Sequence, residues 1–231
     1  MKYRVKFSKT GPIKYIGHLD VMRYFQKAIR RAHIPIAYSE GFSPHQIISF
    51  AFPLSVGYTS EGEYLDMELT CIVNEEEIKN RLNDQMAFGI QVLGVTKLDD
   101  NAENCMSSVF AATYKVTYKD SVSFIDNYKD KFIDYFSQMT IPVNKPKKKG
   151  GGFIQIDLKE FLYDYYIEDR SIIFTVNASS SNNIKPSFIA DLYLESMGLE
   201  IKDFMYNVHR IDILANKGTL NNIELVSLMD A

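Results

Sequence analysis

The chain of 231 residues contains no tryptophan and only two cysteines, Cys71 and Cys105. Two thiols exclude a disulfide scaffold and an all-cysteine zinc site, and neither has a flanking histidine to activate it. No run of about eighteen apolar residues occurs, so no membrane-spanning helix is expected. The segment Met1–Phe7 alternates basic with apolar side chains and lacks the apolar stretch of a signal peptide. A reduced cytoplasm, with no membrane partner, is the expected setting. Also missing are a Gly-x-Ser-x-Gly elbow, a P-loop, and the HxH and HExxH spacings of metal sites; no metal and no cofactor are expected.

What is present is globular in character, at 46% hydrophobic and 24% charged residues, with fifteen tyrosines and fifteen phenylalanines suited to sheet. The net charge of −3 hides an asymmetry. Residues 1–58 carry nine Lys or Arg against Asp20 and Glu40, whereas the remainder carries seventeen basic and twenty-seven acidic residues. A basic end on an acidic protein points to a localised anionic partner. A second basic feature is Lys145-Pro-Lys-Lys-Lys-Gly-Gly-Gly152, with four lysines and three glycines in eight residues. No packed element suits that composition, so it reads as a loop that binds an anion or stays solvated.

The order of elements repeats. Residues 2–8 alternate as a strand, with Tyr3, Val5 and Phe7 on one face and Lys2, Arg4 and Lys6 on the other. Residues 17–33 read as a helix whose apolar arc is Leu19, Met22, Phe25 and Ile29, beside a basic arc of Arg23, Lys27, Arg30 and Arg31. Strands at 47–52 and 63–70 follow, then a helix capped by Asn74, then a strand at 90–98. Residues 112–118 open a second round, with a helix at 122–136, strands at 153–158 and 171–177, a helix at 186–197 and a strand at 204–214. Two βαββαβ units predict an α+β protein built of two tandem ferredoxin-like domains, 1–100 and 110–231, joined by the polar segment 99–108.

Two loops concentrate chemistry. Ser8–Asp20 sets hydroxyls, glycines and lysines ahead of a helix start, an arrangement able to cradle phosphate. Within it, Asp20 reads first as a helix-start residue and His18 as a neutral hydrogen-bonding imidazole. Tyr38-Ser-Glu-Gly-Phe-Ser-Pro-His45 carries Glu40, His45 and three hydroxyls, although Gly41, Phe42 and Pro44 also suit a simple turn. Glu61 and Glu63 read as an acidic strand edge. In Val208-His-Arg210, the alternation favours a polar outer face.

The residues Phe7–Arg23, Ala37–His45 and Ile48–Ala51 resemble a bacterial domain found beside, or fused to, radical SAM proteins; Val208-His-Arg210 is similar too. The resemblance implies a radical SAM protein as partner. The chain has no CxxxCxxC motif and so is not itself the radical SAM enzyme. Gln46 and Ile47 stand where the family carries proline and a basic residue.

The expected function is therefore an accessory protein of a radical SAM system that binds RNA (tRNA or rRNA) or another polyanion. The expected contacts are Lys9, Lys14, Arg23, Lys27, Arg30, Lys147, Lys148 and Lys149, with Tyr38, Phe42 and His45 offering stacking surfaces. Two alternatives stand beside it. One is an enzyme using His18, Asp20, Glu40 and His45 as one cluster. The other is an adaptor that docks the radical SAM partner through a sheet edge or an apolar patch.

Overall fold

The computed structural model describes residues 1–99, 101–147, 150–219 and 222–231. Among these the protein is α+β, with a large mixed sheet and four α-helices. It divides into two compact units, Met1–Ala111 with His209–Ala231, and Ala112–Val208. The expectation of a single division near residues 100–110 thus differs from a division at two places, because the last strand completes the first unit.

The first unit begins with β1 (Lys2–Lys9), α1 (His18–Arg31), β2 (Ile48–Phe50), β3 (Thr59–Glu68), α2 (Glu75–Asn83) and β4 (Ile90–Lys97). Strand β1 lies between β3 and β4, antiparallel to both, and β2 pairs antiparallel with β3. Tyr3, Val5 and Phe7 face a core shared with Val21, Phe25 and Ile29 of α1. The rings of Phe7 and Phe25 lie 4.6 Å apart, and those of Phe25 and Phe50 5.7 Å apart, edge to face. Asn74 caps α2 as its sequence predicts, accepting from the Glu76 and Glu77 amides at 3.0 and 3.2 Å.

Two features of α1 and β1 depart from expectation. Leu19 is 65% exposed, and Val21 takes its place in the core. The buried arc of the helix runs through Val21, Phe25, Ala28 and Ile29, while Leu19 shares the outer stripe with Arg23, Lys27 and Arg30 at spacings of four, four and three. The polar face of β1 is not an open basic surface. Arg4 is buried and bonded twice to Asp66, at 2.8 and 3.1 Å, with further donors to the Leu228 and Glu103 carbonyls. The segment around residue 105 covers this face, since the Cys105 amide also donates to Asp66 at 2.6 Å. Burial pushes the Cys105 thiol up to about 12, which makes it inert.

The second unit contains β5 (Ala111–Tyr118), α3 (Tyr128–Phe136), β6 (Pro142–Pro146), β7 (Phe153–Asp157), β8 (Leu162–Glu168), β9 (Ser171–Asn177) and α4 (Pro186–Ser196). The helix expected from residue 122 starts later. Arg170 donates to the Lys119 and Val122 carbonyls at 2.5 and 2.7 Å, and the Val122 amide donates to the Lys119 carbonyl at 3.0 Å, which holds this segment as a turn ahead of α3. The strand expected at 153–158 does not pair with β9; it forms a hairpin with β6, and β9 pairs with β8. Gly150, Gly151 and Gly152 turn that hairpin with φ of 82°, 68° and 77°, values that explain three successive glycines.

The chain then returns through β10 (Tyr206–Asn216) and β11 (Leu225–Ser227). His209 and Arg210 pair with Thr59 and Ser60, placing β10 parallel to the start of β3. Strand β3 is therefore internal rather than an edge, and Glu63 and Asp66 are buried. Gly62 permits this approach, because a Cβ there would lie 2.4 Å from the Asp212 Cα and 2.5 Å from the Ile211 carbonyl oxygen. Gly62→Ala is expected to destabilise the protein by about 1–3 kcal/mol through backbone overpacking, measured by urea unfolding.

Candidate functional site

The loop between β1 and α1 is held from beneath. Lys9 is only 2% exposed, and its Nζ donates to the Ile16 carbonyl at 2.8 Å and the Lys14 carbonyl at 3.4 Å. Its amine therefore organises the loop and is not presented at the surface as a phosphate contact. The Gly57 amide donates to the Lys14 carbonyl at 2.8 Å, which ties this loop to the segment after β2. Thr10 and Gly89 fasten the other side, through an amide-to-carbonyl bond of 2.7 Å.

His18 opens α1 and is half-buried, its ring 5.6 Å from that of Phe50 and perpendicular to it. With Lys9, Glu63, Phe52 and Leu54 it lines a cavity of about 10 Å³, room for about one water. Glu63, 6% exposed, accepts a hydrogen bond from Arg210, 2% exposed, at 2.9 Å. Arg210 also donates to the Phe52 and Pro53 carbonyls at 3.1 and 3.0 Å, and its guanidinium lies 4.9 Å from the Phe52 ring centroid. Burial raises the Glu63 carboxyl above its usual range, against the pull of Arg210, Ser60 and Lys9. Burial also lowers Lys9, and burial together with the Lys9 ammonium lowers His18.

The second loop, Tyr38–Gln46, closes on itself. Tyr38 and Gln46 form an isolated bridge, the Ser39 amide donates to the His45 carbonyl at 2.8 Å, and the Ser39 hydroxyl meets His45 Nδ1 at 2.8 Å. Gly41 has a φ of 107°, which a side chain would strain. Gln46 is buried and ties the loop to α1 by donating to the Gln26 carbonyl at 3.2 Å. Phe42 protrudes fully into solvent, and Glu40 and His45 are exposed.

No hydrogen bond or ion pair joins any two of His18, Asp20, Glu40 and His45. Asp20 lies at the surface, 3.3 Å from Arg23, His45 turns to Ser39, and His18 faces Phe50. The enzyme reading that needs the four as one cluster gains no support from this geometry. Among the described residues, no group of three or more His, Cys, Asp or Glu side chains is placed to hold a metal.

The basic stripe of α1 is exposed. Arg23 pairs with Asp20, whereas Lys27 and Arg30 have no acidic partner within ion-pair distance among the described residues. Tyr15, 66% exposed, carries the Lys14 amine 5.1 Å above its ring. Lys147 is exposed in the β6–β7 hairpin of the second unit; Lys148 and Lys149 lie outside the described residues.

Sequence reasoning missed the buried Lys9, Glu63 and Arg210 set. Its signal was Glu61 and Glu63, expected as an acidic strand edge, and His209 and Arg210, expected to face opposite ways with a polar outer face. In each pair one residue points in and one out: Glu63 and Arg210 are buried, while His209 meets the Thr59 hydroxyl at 2.9 Å and Glu61 at 3.8 Å.

A family model matches residues 2–186; its description is "Uncharacterized protein conserved in bacteria (DUF2344)". Among curated proteins, none matches the chain. No described helix is long and apolar enough to cross a membrane.

Arg210→Met is expected to destabilise the first unit by about 3–5 kcal/mol, because Glu63 is left buried and unpaired. The double substitution with Glu63→Gln should recover part of the loss in urea unfolding. For His18 the folded pKa lies below its ordinary 6.5. Its contribution is thus present above the unfolded value and lost as pH falls through the folded one. Unfolding free energy should decline below about pH 6.5, and His18→Gln should flatten that decline in a pH series of urea titrations.

Proposed function

The chain belongs to that conserved bacterial family, and we propose that it binds RNA on the outer face of α1, as an accessory protein of a radical SAM system. The carrying observation is that Lys27 and Arg30 are exposed without acidic partners among the described residues, on a helix preceded by the exposed ring of Tyr15 and tied through Gln46 to the loop that carries the exposed ring of Phe42. Cations along a backbone track, with aromatic faces for unstacked bases, are what single-stranded or looped RNA requires. A fully exposed phenylalanine at a glycine-shaped loop tip gains nothing from folding, but gains from a base stacked on it.

Presentation of RNA to a radical SAM partner rests on the resemblance of Phe7–Arg23 and Ala37–His45 alone. The tandem ferredoxin-like reading belongs to the same proposal. It is supported in the first unit by the antiparallel order β4-β1-β3 with β2 on β3. In the second unit it is supported by the order β5-β9-β8, with α3 and α4 in the connections.

Fluorescence anisotropy with a labelled single-stranded RNA across a salt series tests the function. Affinity should fall steeply with salt, and the combined Lys27→Gln and Arg30→Gln variant should flatten the log–log slope by roughly 1.4, about 0.7 for each lost phosphate contact. Phe42→Ala should weaken binding by about 1–3 kcal/mol and leave the slope unchanged. An affinity indifferent to salt would sink the proposal.

A further inference from the structure

The Tyr38–Gln46 loop carries a charge at odds with the basic surface around it. Residues 1–58 contain two acids, Asp20 and Glu40. Asp20 lies 3.3 Å from Arg23, whereas the exposed Glu40 side chain makes no hydrogen bond or ion pair among the described residues. The carboxylate therefore holds no part of the loop together. Beside a phosphate track it also repels the backbone of the ligand. A donor group on that ligand accounts for an acid in such a place.

The loop sets this carboxylate near a stacking ring. The Ser39 amide donates to the His45 carbonyl at 2.8 Å, and the His45 amide donates back to the Ser39 hydroxyl at 3.1 Å. Residues 40–44 form the tip beyond this closure. Glu40 and Phe42 flank Gly41, so their Cα atoms lie within about 7 Å of each other. Phe42 is fully exposed, and Tyr38, at the foot of the loop, is 49% exposed. Gln46 fixes that foot to the carbonyl of Gln26, the residue before Lys27. A base stacked on Phe42 thus has its edge within reach of Glu40.

We propose that this loop binds an unpaired guanine of the RNA, stacked on Phe42, with its N1–H and N2–H groups donating to the two carboxylate oxygens of Glu40. The assignment rests on the RNA reading of α1 and adds a base preference to it. An ionised carboxylate accepts hydrogen bonds and cannot donate them. Of the four bases, guanine presents two adjacent donors on its Watson–Crick edge. Adenine and cytosine each present one amino group beside a ring acceptor, which would face the second carboxylate oxygen lone pair to lone pair. Uracil presents one N–H between two carbonyls. Two parallel N–H···O bonds to one carboxylate reproduce the fork that makes arginine–carboxylate pairs strong. That edge is free in single strands and loops, where RNA-binding proteins read it.

Anisotropy of the full chain with short labelled oligouridylates, each carrying one central G, A, C or inosine, tests the assignment. The G oligonucleotide should bind about tenfold more tightly than those with A, C or U at that position. Inosine lacks the N2 amino group and should fall between. Glu40→Gln, a change at an exposed side chain, should reduce the preference for G to less than about twofold while the salt dependence and the melting temperature stay as they are. Equal affinity for all the oligonucleotides, or a G preference that survives Glu40→Gln, would overturn the guanine assignment and leave the RNA reading standing. Absence of binding to every oligonucleotide would overturn both. Binding of GMP as tight as that of the G oligonucleotide would overturn RNA as the source of the base.

Discussion

The ion pair between Arg210 and Glu63 is the constraint on which the first unit is organised. Two charges removed from water must satisfy each other closely, and the geometry that does so fixes everything around it. Arg210 can reach Glu63 only if β10 lies against β3, and β10 can lie there only because Gly62 has no side chain. The remaining guanidinium donors go to the Phe52 and Pro53 carbonyls, which sets the segment that walls the His18 cavity. Lys9, in turn, spends its ammonium on the carbonyls of the loop ahead of α1. One buried electrostatic arrangement thereby positions two surface loops and the first turn of a helix.

The exposed chemistry is laid over this frame rather than built from it. Helix α1 buries Val21, Phe25, Ala28 and Ile29 and turns Arg23, Lys27 and Arg30 outward, so one element anchors the core and presents charge. The Tyr38–Gln46 loop is closed by its own hydrogen bonds and tied to α1 at Gln46, which leaves Phe42 at a fixed tip. Rigid support beneath exposed rings and cations lowers the entropy lost when a ligand is bound.

Local patterns in the sequence identify most of the elements. Alternation finds β1, the apolar arc finds α1 and the Asn74 cap finds α2, because each signal comes from contacts within one segment. The failures share a physical origin. Alternation in β1 and β10 shows that two faces differ, but not that distant segments cover the polar one. Arg4 is enclosed by residues near 103 and 228, and Arg210 by the segment at 52–53. Lys9 is likewise indistinguishable from a surface lysine until its carbonyl partners are known. In the second unit, the strand at Phe153–Asp157 is legible, but its choice of β6 over β9 is decided by the glycine turn that joins them. The loop residues of the candidate site were legible individually; their separation into a half-buried His18 and an exposed His45 was not.

Glu63 and Arg210 are 147 positions apart in the chain. Because a polypeptide leaves the ribosome from its amino end, the whole of Ala112–Val208 has emerged before Arg210 appears. Until then Glu63 lacks its counter-charge, and the Thr59–Ser60 edge of β3 lacks its neighbour and stands open to pairing with other chains. Strand β10 is the neighbour of both β3 and β5, so each of these strands keeps an open edge until the chain returns.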